Sequence, residues 1–156
     1  MDREQLIKYI QDKFPGKVTL LDCGRVEPFF KVELGFLKEF CQAIRDDTTL
    51  GMDYLCNIAG VDSGEHYEVV YSVASVKNKI RFDFKIFPER ENPAIDSVID
   101  VWPGANWYER EVWELYGINI TGHPSLKRFL LPDDWNQGHP MRKNWDAPDF
   151  VRMPEN

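Results

Sequence analysis

Within six consecutive positions the chain places Glu109, Arg110, Glu111, Trp113 and Glu114. A glutamate cluster can do acid–base chemistry when two carboxyls converge on one pocket and their pKa values split. On a helix, Glu109 and Glu111 stand two residues apart and diverge, so they make no such pair. The remaining readings are a solvated face and a polar docking surface. Trp113 lies among the charges, and Trp and Arg are common interface anchors, which favours docking.

Further along, His123 and His139 each precede a proline. Metal ligation would want H-x-x-x-H or H-E-x-x-H spacing, and neither occurs, so both histidines are expected to shape turns. The basic pairs Lys127-Arg128 and Arg142-Lys143 could bind phosphate. Asp133, Asp134, Asp146 and Asp149 lie close by in sequence, which points instead to ion pairs across an interface. Cys23, Cys41 and Cys56 are odd in number and far apart, with no C-x-x-C, so neither an iron–sulfur nor a zinc site is indicated. No glycine-rich phosphate loop, dinucleotide fingerprint or nucleophile elbow is present. No catalytic, cofactor-binding or metal-ligating residue is therefore expected.

Charge supports a protein partner. The net charge of -7 argues against nucleic acid. Residues 89–122 hold 2 basic and 7 acidic side chains, whereas residues 123–156 hold 5 of each. No apolar run reaches the ~18 residues of a membrane span, and no signal peptide is seen. The chain is expected to be soluble and cytoplasmic, meeting a membrane only through partners.

The elements that would position these residues follow from periodicity. Leu6, Ile7, Ile10 and Phe14 predict a helix over 2–14, started by Asp2 with Gln5 and stopped at Pro15-Gly16. Strands are expected at Val18–Asp22, Phe29–Val32 and Tyr54–Val61, with a helix over Phe36–Arg45. Glu68–Val76 and Lys79–Phe87 alternate as a hairpin about Lys77-Asn78, Asn tolerating a positive φ. Ile80, Phe82, Phe84 and Ile86 point inward; Lys79, Arg81, Asp83 and Lys85 point outward. The pattern predicts an α+β fold: a two-layer domain, mostly antiparallel sheet covered by helices, over residues 1–90. Residues 91–122 read as an acidic helical segment. In it Ile95–Trp102 forms a short helix, and Asn106 caps a second whose face carries Tyr108, Val112, Leu115 and Tyr116. Residues 123–156 carry a proline every eight or so positions and read as an extended tail. Its bulky side chains, Phe129, Leu130, Leu131, Trp135, Met141, Trp145 and Phe150, are expected to gain burial mainly on a partner.

The residues Glu109-Arg110-Glu111-x-x-Glu114-Leu115-Tyr116, then six positions to His123 and three more to Lys127, closely resemble a family signature. The family is the C-type subunit of proton-pumping NADH–quinone oxidoreductase, respiratory complex I. The pieces R-x-L-L-P from Arg128, G-H-P-x-R-K from Gly138 and A-P-D-F from Ala147 are similar to it too. Phe129 stands where the family usually has an aliphatic residue. The resemblance implies a subunit without redox centres in the peripheral arm, on the cytoplasmic side of an energy-transducing membrane. It implies docking on a D-type partner with a hydrogenase-large-subunit fold, beside iron–sulfur proteins. Quinone, iron–sulfur clusters, NADH and FMN would then belong to partners. The alternatives are the related module of membrane-bound energy-converting hydrogenases and, from a different class, a stand-alone acidic enzyme using the glutamate cluster. The expected partner-binding residues are Glu109, Arg110, Glu111, Trp113 and Glu114 on the helix. From the tail they are His123, Arg128, Trp135, Arg142 and Lys143.

Overall fold

A computed structural model describes residues 1–21, 24–147, 149 and 151. Helix α1 spans Arg3–Lys13, and its start is a complete capping box: Asp2 accepts from the Gln5 amide, and the Gln5 side chain accepts from the Asp2 amide. Strands β1 (Val18–Leu20) and β2 (Phe29–Val32) form an antiparallel pair. The expected β1 strand ends at Leu20, before Leu21; Asp22 and Cys23 lie outside the described residues. A 3-10 turn at Leu34–Phe36 leads into α2 (Leu37–Asp46), so the second helix starts one residue later than its apolar stripe suggests.

Strands β3 (Tyr54–Asp62), β4 (Tyr67–Ser75) and β5 (Ile80–Ile86) form an antiparallel meander. The sheet order is β1-β2-β5-β4-β3, and β2 meets β5 in parallel. The expected alternation holds for Ile80, Phe82, Phe84 and Ile86, all buried. Asp83 departs from it: it is also buried, with Arg25 at 2.8 Å. The turn departs too, since the positive φ of 54° falls on Lys79. Asn78 instead turns its side-chain amide to the carbonyls of Thr49 and Leu50, at 3.0 and 3.1 Å.

Ile95–Trp102 is not a helix. Ala94–Asp96 is a strand, β6, paired in parallel with β7 (Asn119–Thr121). Its side chains alternate between the two faces, as a short strand requires, and Ile95 is the buried member. Between β6 and β7 runs α3 (Ala105–Tyr116), whose N-cap is Gly104, so Asn106 is inside the helix. Gly60 of β3 meets the Tyr116 ring so closely that a Cβ would collide with it. The Tyr108 hydroxyl donates to the Cys56 carbonyl at 3.0 Å, fastening α3 to the sheet edge. One apolar core runs from Leu6 on α1 to Ile120 on β7, so the boundary expected at residue 90 falls inside it.

Candidate interaction site

Helix α3 is the post to which the tail is tied, and two of its glutamates face inward. Glu109 is fully buried. Its carboxylate accepts from the Ser97 hydroxyl at 2.7 Å and the Val98 amide at 2.6 Å. These bonds pin α3 to the turn after β6. Burial nonetheless pushes its carboxyl above the usual range. The buried His123 side chain brings Nε2 to 4.0 Å from the same carboxylate. Its Nδ1 accepts the Ser125 amide at 3.1 Å, so the neutral ring carries its proton on Nε2. Burial, with Arg110 nearby, holds this histidine below its ordinary range.

Glu114 is only 3% exposed. It accepts three successive amides, from Phe129 at 3.3 Å, Leu130 at 3.1 Å and Leu131 at 3.1 Å. Arg110 holds the same loop from the other side, donating to the Lys127 carbonyl at 2.7 Å. Its guanidinium lies 4.5 Å from the Trp107 ring centre and 4.9 Å from that of Phe129. Trp113 is half-buried against the core and lines a hollow with Leu126, Lys127, Arg128 and Asp133. Glu111 is half-buried on the same helix.

The helix C-terminus is closed by the tail. An α-helix leaves its last four carbonyls without helical partners. Here the His139 Nδ1–H donates to the Glu114 carbonyl at 2.9 Å, and the Met141 amide to that of Leu115 at 3.1 Å. Arg142 donates to the carbonyls of Tyr116, at 2.6 Å, and Gly117, at 3.4 Å. A cation at this end also suits the helix dipole. Gly117 has φ +69°, and a Cβ on it would strike both the His139 ring and the Arg142 guanidinium.

One residue later the tail meets the sheet. Asp62 accepts the Lys143 amide at 2.9 Å and the Arg90 guanidinium at 2.8 Å. Hydrogen bonding to Arg90, with further backbone amides, holds the Asp62 carboxyl down to about 2. Trp135 and Trp145 stack at 6.2 Å and close a small loop on Gly138 and Gln137. Arg128 donates to the Asp133 carbonyl at 3.2 Å.

Several expectations change. Glu109 and Glu114 do not cover an outer polar face; both carboxylates bond to this chain. Arg128 and Arg142 donate to backbone carbonyls of this chain. The tail's backbone is already fastened, while Phe129, Leu130 and Met141 remain 38%, 52% and 51% exposed. Trp107, 57% exposed and edge-on to Phe129, is not among the expected contacts. Its position three before Arg110, one helical turn away, is the signal that could have found it. Phe150, expected in the tail's apolar set, lies outside the described residues. Among the described residues no group of three metal-ligating side chains forms, and no helix is long and apolar enough to cross a membrane.

The family model described as "Respiratory-chain NADH dehydrogenase, 30 Kd subunit" matches residues 30–151, from β2 to the tail. The chain belongs to this family. Similar relatives of this 30 Kd subunit include the C-type subunit of the NADH-quinone oxidoreductase of Chloroherpeton thalassium, 38% identical over 91% of this chain. The chain spans 60% of that relative's length. The C-type subunit of the F(420)H(2) dehydrogenase of Methanosarcina mazei is 36% identical over 94% of both chains. A solved trypsin-resistant fragment of Nqo5 superposes with a TM-score of 0.69 at 26% identity, covering 81% of this chain and all of the fragment. The motif built around Glu109 and Glu114 is thus carried by a 30 Kd-subunit fold, with the tail's ties to α3 inside the matched region.

Proposed function

We propose that the chain is a non-catalytic scaffold subunit in the peripheral arm of a proton-translocating NADH–quinone oxidoreductase. It docks on the D-type partner, beside iron–sulfur proteins, and supports electron transfer to quinone without holding a redox centre. Quinone, iron–sulfur clusters, NADH and FMN are bound by the partners. The complex sits at the cytoplasmic side of the membrane, and this chain touches the membrane only through it. One observation carries the reading. A member of this family fastens its tail backbone to α3 yet leaves Trp107, the Phe129 ring packed edge-on against it and the adjoining Leu130 open to solvent. Such an apolar patch on an ordered support is what a protein interface needs.

A second reading is favoured by the match along 94% of both chains to the F(420)H(2) dehydrogenase relative: the same scaffold role in a complex with a different electron donor. The test is affinity purification of the full chain from its own cells, with mass spectrometry of what accompanies it. A hydrogenase-large-subunit-like protein together with iron–sulfur proteins is expected. NADH-oxidising proteins among them support the first reading, and other donor proteins the second. Recovery of the chain alone, with catalytic turnover of its own, would overturn both.

A further inference from the structure

We infer that Glu114 is a positioning residue that pre-forms the 127–131 loop as an apolar anchor for a partner protein's pocket, an inference that rests on the docking role proposed above. Three successive backbone amides converging on one anion is the arrangement that loops use to capture phosphate or carboxylate ligands. Here the anion belongs to the chain. Glu114 reaches from α3 to the amides of Phe129, Leu130 and Leu131, all at 3.1–3.3 Å. Arg110 takes the carbonyl just upstream, that of Lys127. The loop is gripped at its acceptor and donor sides by two residues one helical turn apart.

The grip sets side-chain direction. Phe129 stands edge-on to Trp107, ring centres 5.1 Å apart, with the Arg110 guanidinium against both rings. Leu130 projects from the middle of the gripped segment and is 52% exposed. An anchor that is ordered before contact spares the complex the entropy of ordering it afterwards. The exposed cations Lys127 and Arg128 lie on the approach to the loop. The fitting partner surface is therefore an apolar pocket with carboxylates on the rim that faces Lys127 and Arg128.

The experiment compares the full-length chain with Glu114→Gln and Leu130→Asp. Amide hydrogen exchange is followed in the free chain, and binding to a peripheral-arm preparation stripped of this subunit is followed by kinetics. Glu114→Gln should lose at least tenfold in protection at residues 129–131, with β4 and β5 amides unchanged as the control for folding. It should also slow association more than it speeds dissociation. Leu130→Asp should keep the amide protection and weaken binding at least tenfold. Unchanged protection in Glu114→Gln, or association at the wild-type rate, overturns the positioning role. Full binding by Leu130→Asp overturns the anchor, as does a dimer of this chain that Leu130→Asp dissolves. A wild-type chain that ignores the stripped preparation while Glu114→Gln still loosens the loop removes the docking role and leaves the positioning role standing.

Discussion

Asp62 and Asp47 set the acid limit of the fold. Asp62 holds Arg90 and the Lys143 amide. Asp47 holds Lys13, Tyr9 and the amides of Thr49 and Leu50. Both carboxyls lie at about 2, below their ordinary 3.8. A carboxyl depressed by folding stabilises the native state above its unfolded value and loses that contribution as pH falls toward the folded one. The contribution of these two carboxyls to the urea midpoint should therefore hold steady down to about pH 4 and fall steeply toward pH 2. Asp62→Asn should lower stability at neutral pH by about 1.5–3 kcal/mol, the usual worth of a charged hydrogen bond, and flatten that fall. Glu109 has the opposite sign: its raised carboxyl contributes stability below 4.5 that is lost as pH rises through the folded value. Glu109→Gln should thus weaken the dependence of stability on pH above 4.5. Tyr71 presents another case. Its buried hydroxyl has no hydrogen-bond partner among the described residues, so Tyr71→Phe should be neutral or stabilising by up to about 1 kcal/mol in urea unfolding. None of these roles was legible in spacing. Helical periodicity places Glu109 and Glu114 on a polar face, but their partners come from 97–98 and 129–131, far from one helical turn.

Elements whose logic is local were legible. The β4–β5 hairpin alternates because one face is wet, and α1 carries its own start signal in Asp2 and Gln5. Elements whose logic is non-local were not: β6 is three residues long and exists because β7, across a whole helix, pairs with it. The end of α3 shows both kinds. Gly117 could be read as a cap from its position, whereas its second constraint, the His139 and Arg142 side chains packed where a Cβ would stand, could not. Gly117→Ala should therefore cost more than the ~1 kcal/mol of an ordinary left-handed glycine, and two-dimensional NMR should show shifts reaching Met141 and Arg142. Phe84→Asp places a charge between Phe40 and Tyr71 in the centre of the core and should abolish the cooperative unfolding transition seen by circular dichroism.

At the level of the whole molecule, the family was legible because Glu109, Glu114, His123 and Lys127 keep a fixed spacing, and the match over residues 30–151 agrees. Part of that spacing serves an internal clasp: Glu114 takes three loop amides, while His139, Met141 and Arg142 take the four last helix carbonyls. Deleting 123–156 should then lower the stability of the free chain by about 2–4 kcal/mol, several hydrogen bonds at roughly 1 kcal/mol each, even with no partner present; an unchanged melting temperature would make the tail a passenger. The sheet order has a consequence for synthesis. Strands β3 to β5 pair with their sequence neighbours, but β2 must wait for β5, since Phe30 aligns with Phe84. Ribosomes add about 5–20 residues per second, so β2 waits for its parallel neighbour for roughly 3–10 s while the later strand is made. During that interval Phe30 and Val32, both buried in the finished sheet, lack the β5 strand that lies beside β2. A holdase that recognises short apolar strands would be needed most at this stage of the chain's growth, and least once Ile86 has emerged.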